Sequence, residues 1–408
     1  MRRASLAVLA AGCVLLTAAC GAAGGASPPT WEPSPGGNPS EGPGVRISPI
    51  VPQPGGGGSG SSEPSSSPQP GSSSSSSGPT SKTDPMVVAT KLTTPTGIAM
   101  MPDGTALVGE RTTGRILRVQ PVAGKPTPVV KTISGLDTAG GGGLLDLALS
   151  PDFAQDNLIY AYISTATDNR VVEFTLDGPV TTVFKGIPHG AADNSGRIQF
   201  GQDGDLYIGT GTAGQAARAD NLASLAGKVL RVDAIGHVVS GNARSGSAVY
   251  TSGHDGVAGL CTVPQTTTML EVEQRPGGGE VNLLTAGASY GYPTAGGASR
   301  AAVALLPAST PAPGDCAVAS GRLWVTSPDG QALLNAPITG SGANLRVGTF
   351  TAVLSKRYGR LLTVVPAADG ALWLTTTNRD GHGNPVAADE RVIRYTPSGG
   401  GSQSGSQV

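Results

Sequence analysis

Apolar residues in this chain come in short runs rather than long stripes. From Met86 to Pro397, Val, Ile, Leu, Thr and Tyr gather in runs of four to six, separated by turns rich in Gly, Asp and Pro. Almost no segment shows the 3.6-residue periodicity of an amphipathic helix, so the pattern predicts strands. Three runs share one form: Arg115-Ile-Leu-Arg-Val119, Lys228-Val-Leu-Arg-Val232 and Arg391-Val-Ile-Arg-Tyr395. Each closes a unit opened by a turn and a short strand, at 102–108, 202–208 and 368–374. Turns at Asp103, Asp152, Asp203 and Asp255 follow at intervals of 49, 51 and 52 residues, and those at Asp329 and Asp369 keep a looser rhythm. A repeat of roughly 50 residues suits one four-stranded blade of a β-propeller. The expected fold is therefore all-β, a six-bladed propeller of four-stranded antiparallel blades. Seven blades or a pair of sandwiches are the alternatives, and the regular interval argues against the pair. Basic residues in the three strings alternate with apolar ones, which places them on exposed strand faces.

The ends of the chain read differently. Met1-Arg2-Arg3, an apolar run from Leu6 to Leu16 and the small residues before Cys20 form an export signal over 1–19. The run is shorter than the roughly 20 residues of a spanning helix. Small residues leading into Cys20 resemble a bacterial lipobox, which implies cleavage before Cys20, lipid on its sulfur and attachment to the outer face of a cell membrane. Residues 20–85 are rich in Gly, Pro and Ser and too poor in apolar residues to offset chain entropy, so a disordered tether is expected; 398–408 reads the same way. The folded domain is then 86–397. A net charge of −1 without a basic cluster gives no electrostatic case for nucleic acid. Cys261 and Cys316 are left as an even pair in an exported protein, and a disulfide is the economical reading.

Five segments taken in order carry a resemblance: 92–104, 141–153, Asp193-Asn-Ser-Gly-Arg-Ile-Gln-Phe-Gly-Gln-Asp-Gly204, Glu273-Gln-Arg-Pro-Gly-Gly-Gly-Glu-Val-Asn282 and Tyr290-Gly-Tyr-Pro293. Together they resemble the glucose/sorbosone dehydrogenase family of quinoprotein sugar dehydrogenases. The resemblance implies a six-bladed propeller with pyrroloquinoline quinone (PQQ) over its central mouth, held by arginines, a lysine and calcium. It also implies a histidine that takes the proton of the sugar's C1 hydroxyl while hydride passes to the quinone. Arg197 and Arg360 fall at cofactor-side positions, and the backbone carbonyls of Arg275 and Pro276 at calcium-ligand positions.

The chain departs from that pattern at several points. Asp193 stands at the histidine position, and a carboxylate, with a reference pKa of about 3.9 against about 6.5 for imidazole, is the weaker base. His189, four residues upstream, is a second candidate base, though an exposed loop histidine is the plainer reading. Asp255 replaces an arginine and Leu362 a second one, while Gly279 stands where an acid is expected. These changes lead to the expectation of a site that has lost its dehydrogenase activity and binds carbohydrate or another envelope ligand at the mouth. The alternatives are a working PQQ-dependent aldose dehydrogenase using Asp193 or His189, and a protein-interaction scaffold. Elsewhere, Asn378–Asn384 reads as a polar hairpin with some likeness to a calcium loop, Gly209–Gly214 as a strand-end turn, and Asp146 and Asp152 as turn acids.

Overall fold

The computed structural model describes residues 84–275, 278–294, 299–310 and 312–397. Cys20, the export signal, the tether and the tail lie outside the described residues, as does Pro276. The described residues form six antiparallel sheets. Their first strands in chain order are Pro95–Met100, Leu144–Leu149, Gly196–Phe200, Val257–Thr262, Asp315–Ala319 and Leu361–Pro366. Each of these touches its two neighbours, and the last touches the first, so the ring closes around an axis. The expected six-bladed propeller is what forms. Five blades have four strands, and the fifth blade gains one, Thr351–Val353, on Ala332–Thr339. The outermost strand of the last blade comes from the start of the domain: Val87–Ala89 pairs with Val392–Tyr395.

Blades stack face to face, so most strands are covered on both sides. Ala106–Glu110 and Leu372–Thr376 are buried throughout. Every blade interface holds its own apolar cluster, such as Tyr160, Tyr162, Ile198 and Leu206 between the second and third blades. Near the axis the backbones themselves meet. A Cβ on Gly97 would lie 2.6 Å from the Leu147 amide nitrogen, and one on Gly259 2.6 Å from that of Cys316, so only glycine fits.

Side chains on the inner strands stitch blade to blade. Thr96 Oγ1 donates to Leu144 O (2.7 Å), and the Asp146 carboxylate accepts from Ile198 N (2.9 Å). Arg197 donates to Ala258 O (2.6 Å) and Gly314 O (2.8 Å). Asp315 accepts from Val364 N (3.1 Å), and Thr363 donates to Thr96 O, completing the circuit. Cys261 and Cys316 form the expected disulfide, tying the inner strands of the fourth and fifth blades.

Three expectations change here. Asp146 is no turn acid; it sits inside an inner strand, buried on the axis. Asp255 does not open a turn between the first two strands of a blade. It lies in the connection into the fourth blade, because an Asp-Gly pair serves any tight connection equally well. Lys228 is fully buried rather than on an exposed face. Its Nζ donates to the carbonyls of Arg218 (2.7 Å), Ala219 (2.7 Å) and Ala226 (2.8 Å), which converge above the strand end. Asp152 and the polar hairpin at Asn378–Asn384 stand as expected, the former preceding the short helix Phe153–Asp156.

Candidate active site at the propeller mouth

Within a blade the second strand runs back along the first, so the connection entering a first strand and the connection leaving a second strand share one end of the ring. Asp193 and Asp255 lie on entering connections. Arg111, Arg275, Asp329 and Asp380 lie at or just beyond second strands, and Arg360 just before the sixth inner strand. The topology thus gathers these residues around one mouth.

On one side stand the acids. Asp193 is exposed and takes a left-handed backbone (φ 52°). Its carbonyl accepts from Ala213 N (3.1 Å) and its carboxylate from the Thr212 hydroxyl (3.2 Å). Buried Asn194 anchors this connection by bonding Gly190 O (2.6 Å) and Gly140 O (3.1 Å). Asp255 is half-buried, with its amide donating to Glu273 (2.9 Å). Burial raises its carboxyl above the ordinary range; nearby Glu273 and Asp193 add to this, while Tyr292 and Arg275 oppose it. Arg275 crosses beneath, donating to Gly253 O (3.1 Å) and Tyr290 O (2.5 Å) with its guanidinium over the Tyr292 ring.

Across the ring are guanidinium groups. Arg360 donates to Asp329 (2.6 Å) and Asp380 (2.9 Å). Arg111 donates to Gly142 O (3.3 Å) and lies within the field of the same Asp380; burial lowers its pKa. The sequence reading did not single out Arg111, since nothing in Gly109-Glu-Arg-Thr-Thr113 marks a mouth residue.

The remaining candidates are placed elsewhere. His189 is largely covered and faces Asp137 at 3.9 Å, on the connection into the second blade. Arg197 points into the axial cavity below the mouth, a space of about 320 Å³, where one of its nitrogens lies 3.8 Å from Asp146. The carbonyl of Arg275 accepts from its neighbour Gln274 (3.0 Å). Just behind Asp255 lies a cluster that the sequence reading missed: His254, Glu271 and Glu273, all fully buried and near enough to share a metal ion. Glu271 and Glu273 alternate on one strand and so share a face, an available but weak signal.

A family model for glucose/sorbosone dehydrogenase matches residues 92–314, more than half of the 408 residues. The chain belongs to the glucose/sorbosone dehydrogenase family. Among its solved relatives is the PQQ-bound aldose sugar dehydrogenase of Streptomyces coelicolor, with 36% identity and a TM-score of 0.71, covering 76% of this chain and 95% of the relative. A putative oxidoreductase (glucose dehydrogenase) of Thermus thermophilus is also 36% identical, with a TM-score of 0.69 over 76% of this chain and 98% of that one. Quinoprotein glucose dehydrogenase B of Acinetobacter calcoaceticus is 28% identical over 52% of this chain and 53% of its own length. The chain spans about half to three-fifths of the curated relatives it matches.

These likenesses correct the expectation of a site that has lost its chemistry. The chain matches a PQQ-bound relative at 36% identity over nearly all of that protein, and a metal-capable cluster stands behind the mouth. The geometry supplies physical reasons. Arg111 adds a guanidinium that the residue-by-residue comparison had left out. The raised carboxyl of Asp255 holds a proton more readily than a free acid, which softens the reversed charge. The donor set at the mouth, three guanidinium groups with carboxylates and carbonyls among them, therefore suits a tricarboxylate quinone and calcium.

Proposed function

We propose that this chain is a PQQ-dependent aldose sugar dehydrogenase working outside the cytoplasm. The observation that carries the reading is the 36% likeness to a PQQ-bound aldose sugar dehydrogenase, joined to a mouth with guanidiniums on one side and acids on the other. When bound, the quinone would take the two electrons leaving the sugar. Arg111, Arg275 and Arg360 would hold its carboxylates, and the carbonyls of Arg275 and Pro276 would contribute to the calcium site. Asp193 would accept the proton of the sugar's C1 hydroxyl on a carboxylate oxygen, held in place by Thr212. His189, turned toward Asp137, would support the connection that carries Asp193. Arg197 would brace the floor of the site through the axis rather than touch the cofactor.

The proposal extends to location. Residues 1–19 would be removed, Cys20 lipidated, and 20–85 would tether the 86–397 propeller to the membrane. The disulfide fits an oxidising compartment. Among the described residues no helix is long and apolar enough to cross a membrane. Cys20→Ala should release the protein into the medium; a variant that stays with the membrane fraction would defeat the anchor.

The catalytic test mixes the purified chain with calcium and PQQ, then adds aldoses and an artificial electron acceptor. Sugar-dependent dye reduction is expected, and Asp193→Ala should abolish it while quinone binding persists. No quinone binding at millimolar cofactor would refute the enzyme reading.

A further inference from the structure

Behind the mouth, the fourth blade buries two carboxylates and an imidazole in one place. Glu271 and Glu273 lie on the strand Met269–Arg275, and Asn282 on Gly278–Leu283, where it pairs in register with Glu271. His254 reaches in from the connection between the third and fourth blades. All four side chains are fully buried. Paired charges at such depth require a counter-charge or a shared proton.

The hydrogen bonds fix how these groups face each other. Asn282 Nδ2 donates to Glu271 Oε2 (2.9 Å) and Glu273 Oε1 (3.1 Å), orienting both carboxylates. The His254 Nε2 atom meets the Thr251 hydroxyl at 2.9 Å. When Nε2 donates there, the lone pair of Nδ1 is aimed at the two carboxylates. Nδ1 has no hydrogen-bond partner and sits 3.5 Å from Glu273 Oε1 and 3.8 Å from Glu271 Oε2. Those separations are long for hydrogen bonds. They match the edges of a tetrahedron around an ion with bonds of about 2.1 Å, which are roughly 3.4 Å.

We propose that His254 Nδ1, Glu271 and Glu273 form a buried site for a divalent transition-metal ion of the zinc class. A nitrogen ligand separates this site from the all-oxygen sets that calcium prefers. Asn282 and Thr251 act as the outer partners that orient the ligands. The ion is structural: its ligands are covered on all sides, and its neighbours are mouth residues. Glu273 accepts from the amide of Asp255 (2.9 Å), and Arg275 lies 3.8 Å from the same carboxylate, so metal binding would set the position of both.

The inference stands apart from the quinone reading, because it is tested on untagged, quinone-free protein. The full chain is equilibrated with Zn²⁺ or Co²⁺, desalted, and its metal content measured by mass spectrometry. About one ion per chain is expected, with the Co²⁺ form showing intense tetrahedral ligand-field bands. Glu271→Gln should lower affinity at least tenfold, whereas Asp193→Ala should leave the metal content unchanged. Background metal in the wild type would overturn the site in favour of a proton-sharing network. So would metal content and cobalt bands that are unchanged in Glu271→Gln. Should that variant fail to fold, the cobalt spectrum of the wild type decides alone: absence of nitrogen-ligated tetrahedral bands refutes the proposal.

Discussion

At the scale of single residues, Asp255 shows how environment changes what a substitution means. An acid in place of an arginine reads as repulsion toward an anionic cofactor. Half-buried beside Tyr292, its carboxyl is shifted upward and stays protonated over a wider range. Quinone affinity should therefore fall as pH rises through that raised titration, since the ionised form repels the ligand's carboxylates. Asp255→Asn should remove the slope and bind several-fold more tightly at alkaline pH. Calorimetric titration across pH checks this, and an identical slope in the variant would count against it. Asp193 is the complementary case, an exposed acid whose loss should cost turnover rather than binding.

At the scale of elements, Lys228 ends the third strand of its blade and gathers three carbonyls around one ammonium. Burial depresses its pKa to about 8, with Asp220 opposing. Lys228→Met keeps the apolar stem but strands those carbonyls, so a loss of about 3 kcal/mol is expected by denaturant unfolding. A loss within experimental error would mean that the loop satisfies its carbonyls another way. The same residue marks what the sequence could and could not reveal. Turn spacing exposed the blades, because each blade repeats one chain path. Burial of a particular basic residue did not show, because both faces of a propeller strand are covered and alternation no longer separates inside from outside. Asp146 escaped for the same reason: an acid on an inner strand spells the same local string as one beside a turn. Cys261 and Cys316 were legible, since an exported chain with two remaining cysteines leaves few pairings. Arg111 and Glu271 were not, since each depends on which loops and strands meet across blades.

At the scale of the whole molecule, the axis is where stability couples to solution conditions. Asp315 is buried there, its carboxyl pushed up to about 7 by loss of water; Asp146 adds to this and Arg197 works against it. The folded protein keeps a proton that the unfolded chain releases near pH 3.9. The resulting stability is full below about pH 4 and is lost as pH rises through about 7. Asp315→Asn cannot ionise, so its melting temperature should gain on that of the wild type between pH 5 and pH 8. A constant gap across that range would show that Asp315 titrates normally. The disulfide acts on the same ring by closing 55 residues of sequence between the fourth and fifth blades. Reduction should cost about 2–4 kcal/mol, read as a lower denaturant midpoint with dithiothreitol.

The strand Val87–Ala89 completes the blade whose other strands end at Tyr395. During synthesis its partner is made some three hundred residues later, so a ribosome-bound chain carries an unmatched first strand until nearly the last codon is read. Circular closure must therefore follow translation. For a polypeptide threaded through a membrane before it folds, that delay is useful: the ring cannot lock on the wrong side.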